Sequence, residues 1–233
     1  MVNRAKTFLL KQKIAIGIVL VIIVGIIGYF FTLVVKDAPL LGNFVEGEHY
    51  TLLENPRRVR SDKIEVMEFF SYGCIHCYNF DPDLNDWAEE HSDKINFVRT
   101  PAISNDLWRT LGRNYYTLEK LGILDKYHMV FFREINDVRR NFSSLGKLSS
   151  YFDGKDTTAG EYTKAFNSPE VSRKMAAADQ MGRRLLVASV PTIIVHGKYM
   201  VRITRSVGVS RMLEVMDFLV DKELAGKSAV TTK

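Results

Sequence analysis

The chain has 233 residues, 46% of them hydrophobic and 25% charged, with 15 Gly and 6 Pro; this balance excludes collagen-like, low-complexity and wholly disordered chains and permits a packed core. The formal charge of +5 comes from 32 Lys and Arg against 27 Asp and Glu, but Arg4, Lys6, Lys11 and Lys13 precede every acid, and without those four the count is 28 against 27. The basicity therefore belongs to the N-terminus, and the rest lacks the clustered positive face that nucleic-acid binding requires.

Residues 14–35 carry no charge, and as a helix they would span roughly 33 Å, enough for a bilayer core. A cleaved signal peptide has an apolar core of about 7–15 residues ending at a small-residue site. Here the core is longer, and Leu33-Val34-Val35-Lys36-Asp37 offers no such site. A retained transmembrane helix over 14–35 is expected, inserted in the lipid bilayer. Four positive residues on its short N-terminal side, against Lys36 just after it, place residues 1–13 in the cytoplasm. Everything after the span is then extracytoplasmic. In a bacterium that compartment is oxidising, so a Cys pair there can exchange electrons.

A juxtamembrane linker, 36–48, leads to a short strand at 50–53 and a turn at Asn55-Pro56. Residues 64–72 (IEVMEFFSY) are apolar or aromatic on both parities, as in a strand buried on both faces. Residues 75–90 place Phe80, Leu84 and Trp87 at helical spacing, with Pro82 expected to kink the helix or mark a restart. A strand at 95–99, stopped by Pro101, completes a βαβ pattern. From 105 to 186 the periodicity is helical. One stripe is Leu107, Leu111, Tyr115 and Leu118, ended near Gly122; another is Tyr127, Val130, Phe131 and Ile135. A short third stripe uses Leu145, Leu148 and Phe152, and Ser168-Pro169-Glu170 is an N-cap with Pro at the first helical position. Strands return at 192–196 and 198–203 around the tight turn His196-Gly197, and an amphipathic helix follows Ser210 and ends before Gly226. The pattern is one α/β unit, 49–104 and 187–224, interrupted by a helical insertion, 105–186, with a disordered tail over 225–233.

The only cysteines, Cys74 and Cys77, sit where the buried strand ends and a helix begins. There the first backbone N–H groups lack intrahelical partners, and with the positive dipole end they favour a thiolate on Cys74. Cys77, one turn on, can attack a mixed disulfide on Cys74 and resolve it. His76, when protonated, adds a second charge favouring the thiolate, although a lone His at a helix start is often only a surface residue. A zinc site needs four ligands, and no second Cys-x-x-Cys or suitably spaced His pair exists; haem attachment needs His at the position of Tyr78. An inert buried pair remains as a further alternative.

Glu68 interrupts an apolar run six residues before Cys74. A buried carboxylate costs several kcal/mol unless paired or protonated, about the scale for buried ions. Glu68 is thus either a proton acceptor beneath the active turn or an edge-strand side chain reaching solvent or a lysine. Pro191, after Val190, stands where a strand tolerates a residue without N–H.

Three segments in order, EGEHYTLL at 46–53, FFSYGCIHCY at 69–78 and VPTIIVHGKY at 190–199, resemble the DsbA family of thiol:disulfide oxidoreductases across residues 46–224. The resemblance implies a thioredoxin fold with an inserted helical domain, here preceded by the transmembrane helix. It implies Cys74 as nucleophile, Cys77 as resolving thiol, His76 stabilising the reduced form, Glu68 as the family's buried acid, and a cis Val190-Pro191 bond facing the disulfide. No cofactor beyond the Cys74–Cys77 disulfide is implied. The implied partners are reduced or unfolded exported proteins and a quinone-linked reoxidase of the DsbB type; the uncharged span and its flanking charges place the enzyme, expected to be a monomer, in the bacterial inner membrane with its catalytic domain in the periplasm. Ile75 departs from the proline common before the histidine, and the anchor departs from the usual cleaved signal. A reductase or isomerase of the same fold, or a non-catalytic client-binding module, are the rival readings.

Overall fold

The computed structural model describes residues 44–231 and, before them, Ile16, Gly17, Val19, Leu20, residues 22–26 and Tyr29. Two units are distinguished, Met1–Asn43 and Phe44–Lys233. In the first, the described positions are helical and their large apolar side chains are exposed. The basic tail, much of the predicted span and the linker up to residue 43 lie outside the described residues. No helix among the described residues is long and apolar enough to cross a membrane.

The second unit is built on a five-stranded sheet: β1 (Thr51–Leu52), β2 (Ile64–Phe70), β3 (Ile95–Pro101), β4 (Thr192–Val195) and β5 (Tyr199–Arg202), in the order β1-β5-β4-β2-β3. β2 and β3 are parallel, joined through α1 (Ile75–Glu90), and the other pairings are antiparallel. Every residue of β2 is buried, which explains its unbroken apolar run. Ile64 and Val66 point to the side packed by Phe80, Leu84 and Trp87 of α1 and by Met212, Val215, Met216 and Leu219 of α7 (Val209–Thr231). Period-two alternation puts Glu68 on that same face. β4 and β5 turn at His196 and Gly197, both with positive φ. A Cβ on Gly197 would lie 2.5 Å from the Arg57 carbonyl oxygen, so this turn admits no side chain there.

The helical insertion comprises α2 (Asp106–Leu121), α3 (Leu124–Asn136), α4 (Leu145–Phe152), α5 (Ala159–Phe166) and α6 (Pro169–Arg184). Its core is aromatic: Tyr115, Phe131, Phe132, Phe152 and Tyr162 pack with Phe70 at the end of β2, with Tyr72 in the turn after it and with both cysteines.

Two sequence expectations are corrected, and one helix is added to them. Pro82 neither breaks nor restarts α1, which is continuous from Ile75 to Glu90; Pro82 is exposed, so the carbonyl it leaves without a donor can turn to water. Helix α5, unmarked by any long stripe, is a two-turn helix opened by a capping box between Thr158 and Glu161. The last helix passes Gly226 and reaches Thr231, because one glycine in a helix costs only about 1 kcal/mol.

Candidate active site at the Cys74 turn

β2 delivers the chain into a turn in which Cys74 N–H bonds the Ser71 carbonyl at 3.0 Å. Cys74 is the N-cap of α1, with extended backbone, and its sulfur accepts the Cys77 N–H at 3.2 Å. Gly73 has no side chain, and a Cβ there would stand 3.0 Å from Trp108 Nε1 of α2. Trp108 therefore closes over the turn from the insertion. On the other side the Val190 carbonyl lies 3.5 Å from Cys74 Sγ, and the Val190-Pro191 bond is cis.

Both cysteines are free thiols in this structure, and their environments differ. Cys74 retains 8% exposure, whereas Cys77 is fully buried. The Cys77 thiol as donor, then the backbone N–H groups of Cys77 and His76, bring the Cys74 thiol down from 9.0 to about 7, against the opposing effect of burial. Burial, and then the neighbouring Cys74, push Cys77 well above the ordinary thiol value. One sulfur is prepared to be an anion and the other to keep its proton. His76 lies in the first turn of α1 with its side chain exposed, so its contact with the Cys74 sulfur is through the backbone.

Glu68 is 1% exposed on a central strand, which rules out the solvent-reaching alternative; its partner is not a lysine but Arg99, whose Nε donates to Glu68 Oε2 at 3.1 Å. Burial raises the Glu68 carboxyl from 4.5 to about 7, with Arg99 opposing and Asp81 adding to the rise. Arg99 Nη2 is also 3.0 Å from Asp81 Oδ1. Asp81 in turn faces His128 Nε2 at 3.0 Å, and His128 Nδ1 faces the Tyr72 hydroxyl at 2.8 Å. Burial alone would raise Asp81, but hydrogen bonding and charge from His128, with Arg99, hold it below its ordinary range. Burial holds His128 below the usual histidine value. With Asp81 ionised and the ring neutral, Nε2 carries the proton and Nδ1 accepts from Tyr72. A buried polar chain thus runs from beneath the cysteines to the insertion.

Sequence reasoning singled out neither Arg99 nor Asp81 nor His128. Asp81 follows Cys77 by four residues and so shares its helix face, a signal that was present in the spacing. Arg99 and His128 required the strand register and the packing of α3. Among the described residues no cluster of His, Cys, Asp and Glu side chains is placed to hold a metal ion.

The thioredoxin family profile matches residues 61–215. The thiol:disulfide interchange protein DsbA of Pseudomonas aeruginosa is 31% identical over 78% of this chain and 87% of its own length, and that of Pseudomonas syringae pv. tomato is 34% identical over 72% and 78%. The chain belongs to the DsbA family of thiol:disulfide oxidoreductases. The crystal structure of P. aeruginosa DsbA superposes with a TM-score of 0.76 at 30% identity, over 80% of this chain and 97% of that one. The crystal structure of oxidoreductase DsbA from Xylella fastidiosa gives 0.73 at 28%, over 78% and 98%. The DsbA-type architecture, a thioredoxin-like sheet carrying a helical insertion, is the one described above.

Proposed function

We propose that the protein is a membrane-anchored disulfide oxidase that donates a Cys74–Cys77 disulfide to exported proteins. The observation that carries this reading is the Cys74 sulfur at the mouth of α1, receiving the Cys77 N–H at 3.2 Å with Cys77 sealed beneath it. In the oxidised enzyme a client thiolate attacks Cys74 Sγ, the bond to Cys77 breaks, and Cys77 leaves as a thiolate and takes up a proton. A second client thiolate then attacks the client sulfur of the mixed disulfide, and Cys74 leaves as the stabilised thiolate. The client gains a disulfide and the enzyme keeps two electrons as its dithiol. A quinone-linked reoxidase of the DsbB type removes them.

Each remaining residue has a place in this scheme. Glu68, a buried carboxyl held near neutrality, supplies the proton that Cys77 takes up and recovers it on reoxidation. The Val190 carbonyl beside the sulfur pairs with the backbone of an extended client, and Pro191, with no N–H, leaves that carbonyl as the pairing group. His76 favours the reduced form at the helix N-terminus. The uncharged stretch over 14–35 and the four basic residues before it support an inner-membrane anchor with a periplasmic catalytic unit. A reduced, unfolded client mixed with the oxidised enzyme should acquire disulfides as Cys74 and Cys77 become reduced; a client that stays reduced overturns the oxidase. N-terminal sequencing of the protein from cells should find residue 1 or 2, and a mature chain starting near residue 38 overturns the anchor.

A further inference from the structure

Glu68 on β2 and Asp81 on α1 are both buried, and one guanidinium, Arg99, serves the two of them. Two carboxylates and one cation leave a surplus negative charge in a dry site, so near neutral pH the cluster favours holding one proton. Which acid holds it depends on the hydrogen-bond donors each one meets, because donors favour the ionised form.

The donors are unequal. Glu68 receives Arg99 Nε at 3.1 Å. Asp81 has Arg99 Nη2 and His128 Nε2 each 3.0 Å from Oδ1, and Asn85 Nδ2 2.8 Å from Oδ2. Arg99 is shared by both acids, and Asn85 is exposed, where its bond competes with water. His128 is a buried donor given to Asp81 alone. Its far side fixes that role: Nδ1 takes the Tyr72 hydroxyl at 2.8 Å, which leaves the proton of the neutral ring on Nε2. Asp81, Asn85, Arg99 and His128 line a cavity of about 410 Å³, whereas Glu68 is not part of its wall among the described residues. The other titratable groups facing the cluster are Cys74 and Cys77 toward Glu68, Tyr72 and Tyr115 toward Arg99, Asp125 toward His128, and Glu89 on the cavity wall. Burial raises both acids, yet Asp81 ends below its ordinary range, with the His128 hydrogen bond the largest opposing influence, while Glu68 stands at about 7.

We propose that His128 is a positioning residue that places the proton of this cluster on Glu68, the acid that bears on both sulfurs, rather than on Asp81. The proposal rests on the proton exchange between Glu68 and Cys77 described above. Without the ring, Asp81 loses the donor that keeps it ionised, and the share of the proton held by Glu68 falls.

The test follows side-chain carboxyls by NMR in the full-length reduced protein, labelled with 13C at Asp and Glu, as the pH is changed. In Glu68→Gln the amide stands in for the protonated acid, and Asp81 titrates without its neighbour. Adding His128→Phe there should raise the Asp81 midpoint by about one to two pH units, the effect of losing one hydrogen bond to an ionised group. Adding His128→Gln instead, whose amide donates to Asp81 and accepts from Tyr72, should leave the midpoint near its value in Glu68→Gln alone. In Asp81→Asn, His128→Phe should leave the Glu68 midpoint where it stands. The preference for Glu68 over Asp81 then falls about ten- to hundredfold. An Asp81 midpoint that His128→Phe does not move, one that His128→Gln moves equally, or a Glu68 midpoint that moves as far, overturns the proposal. The ring nitrogens of the parent protein give a check that needs no variant. Their 15N shifts at pH 7 should show a neutral His128 protonated at Nε2, and a proton on Nδ1 overturns the proposal as well. These spectra are taken without a client and read the placement of the proton alone. A failure of the exchange reading shows separately, as Glu68→Gln donating disulfides at the parent rate.

Discussion

Glu68 on β2 and Arg99 on β3 are direct partners in the parallel ladder, with Arg99 Nε 3.1 Å from Glu68 Oε2. The same guanidinium serves Asp81, and both carboxyls are 1% exposed. One cation holding two buried acids makes the pair the most sensitive electrostatic element beneath the cysteines.

Arg99→Ala should destabilise the protein by about 3–5 kcal/mol near neutral pH, because it leaves buried carboxylates without their counter-charge. The loss should shrink as the pH falls and the acids take up protons. Urea unfolding at several pH values measures it; a loss that does not depend on pH would mean Arg99 acts only by packing.

Glu68→Gln should have the opposite sign. The folded Glu68 holds its proton up to about pH 7, against 4.5 for the ordinary carboxyl. Its contribution is therefore fully present below the lower value and is lost as the pH rises through the higher one. Removing the ionisable group should make the variant more stable than the parent by about 2–3 kcal/mol near pH 8, and equal to it near pH 4. Parallel stability curves for the two proteins would contradict the buried-acid account.

Replacing Cys77 by serine should leave Cys74 able to form a bond with a client or a small disulfide but unable to release it internally. Mixed disulfides should accumulate, visible on a non-reducing gel and dispersed by reductant. Cys74→Ser should form none. Accumulation through Cys77 in the Cys74→Ser protein would reverse the assigned roles.

Gly112 in α2 lies against the end of β3, and a Cβ there would stand 2.8 Å from Pro101 Cβ. Gly112→Ala should cost about 1–3 kcal/mol through overpacking, although alanine is the better helix former. A calorimetric Tm at or above that of the parent would show that the contact yields freely.

Much of this was legible in the sequence because local and global signals agreed. The buried strand at 64–70, the Cys-x-x-Cys at the start of a helix, the Gly122 helix stop and the Ser168-Pro169 helix start each announce themselves within a few residues. The partner of Glu68 did not, because Arg99 is 31 residues away and is brought opposite only by the β2–β3 register. His128 belongs to no spaced motif in the sequence, and its place depends on α3 packing over Tyr72 and Asp81.

The central claim concerns the direction of electron flow. In the reduced protein the Cys74 thiol sits at about 7 rather than 9.0, so folding stabilises the dithiol form by about 2–3 kcal/mol above pH 9, of which only about 0.4 kcal/mol remains at pH 7. Whatever stabilises the reduced form makes the disulfide more oxidising, at about 30 mV for each 1.4 kcal/mol. The most direct measurement is the equilibrium of the Cys74–Cys77 pair in glutathione buffers at neutral pH. The thiol's titration contributes only about 10 mV at pH 7; the proposed donation of disulfides to clients requires a potential more positive than about −180 mV, the value of protein disulfide isomerase, and that is the expected result. A more negative value, toward the roughly −270 mV of thioredoxin, would contradict the oxidase and make the protein a reductase built on the same fold.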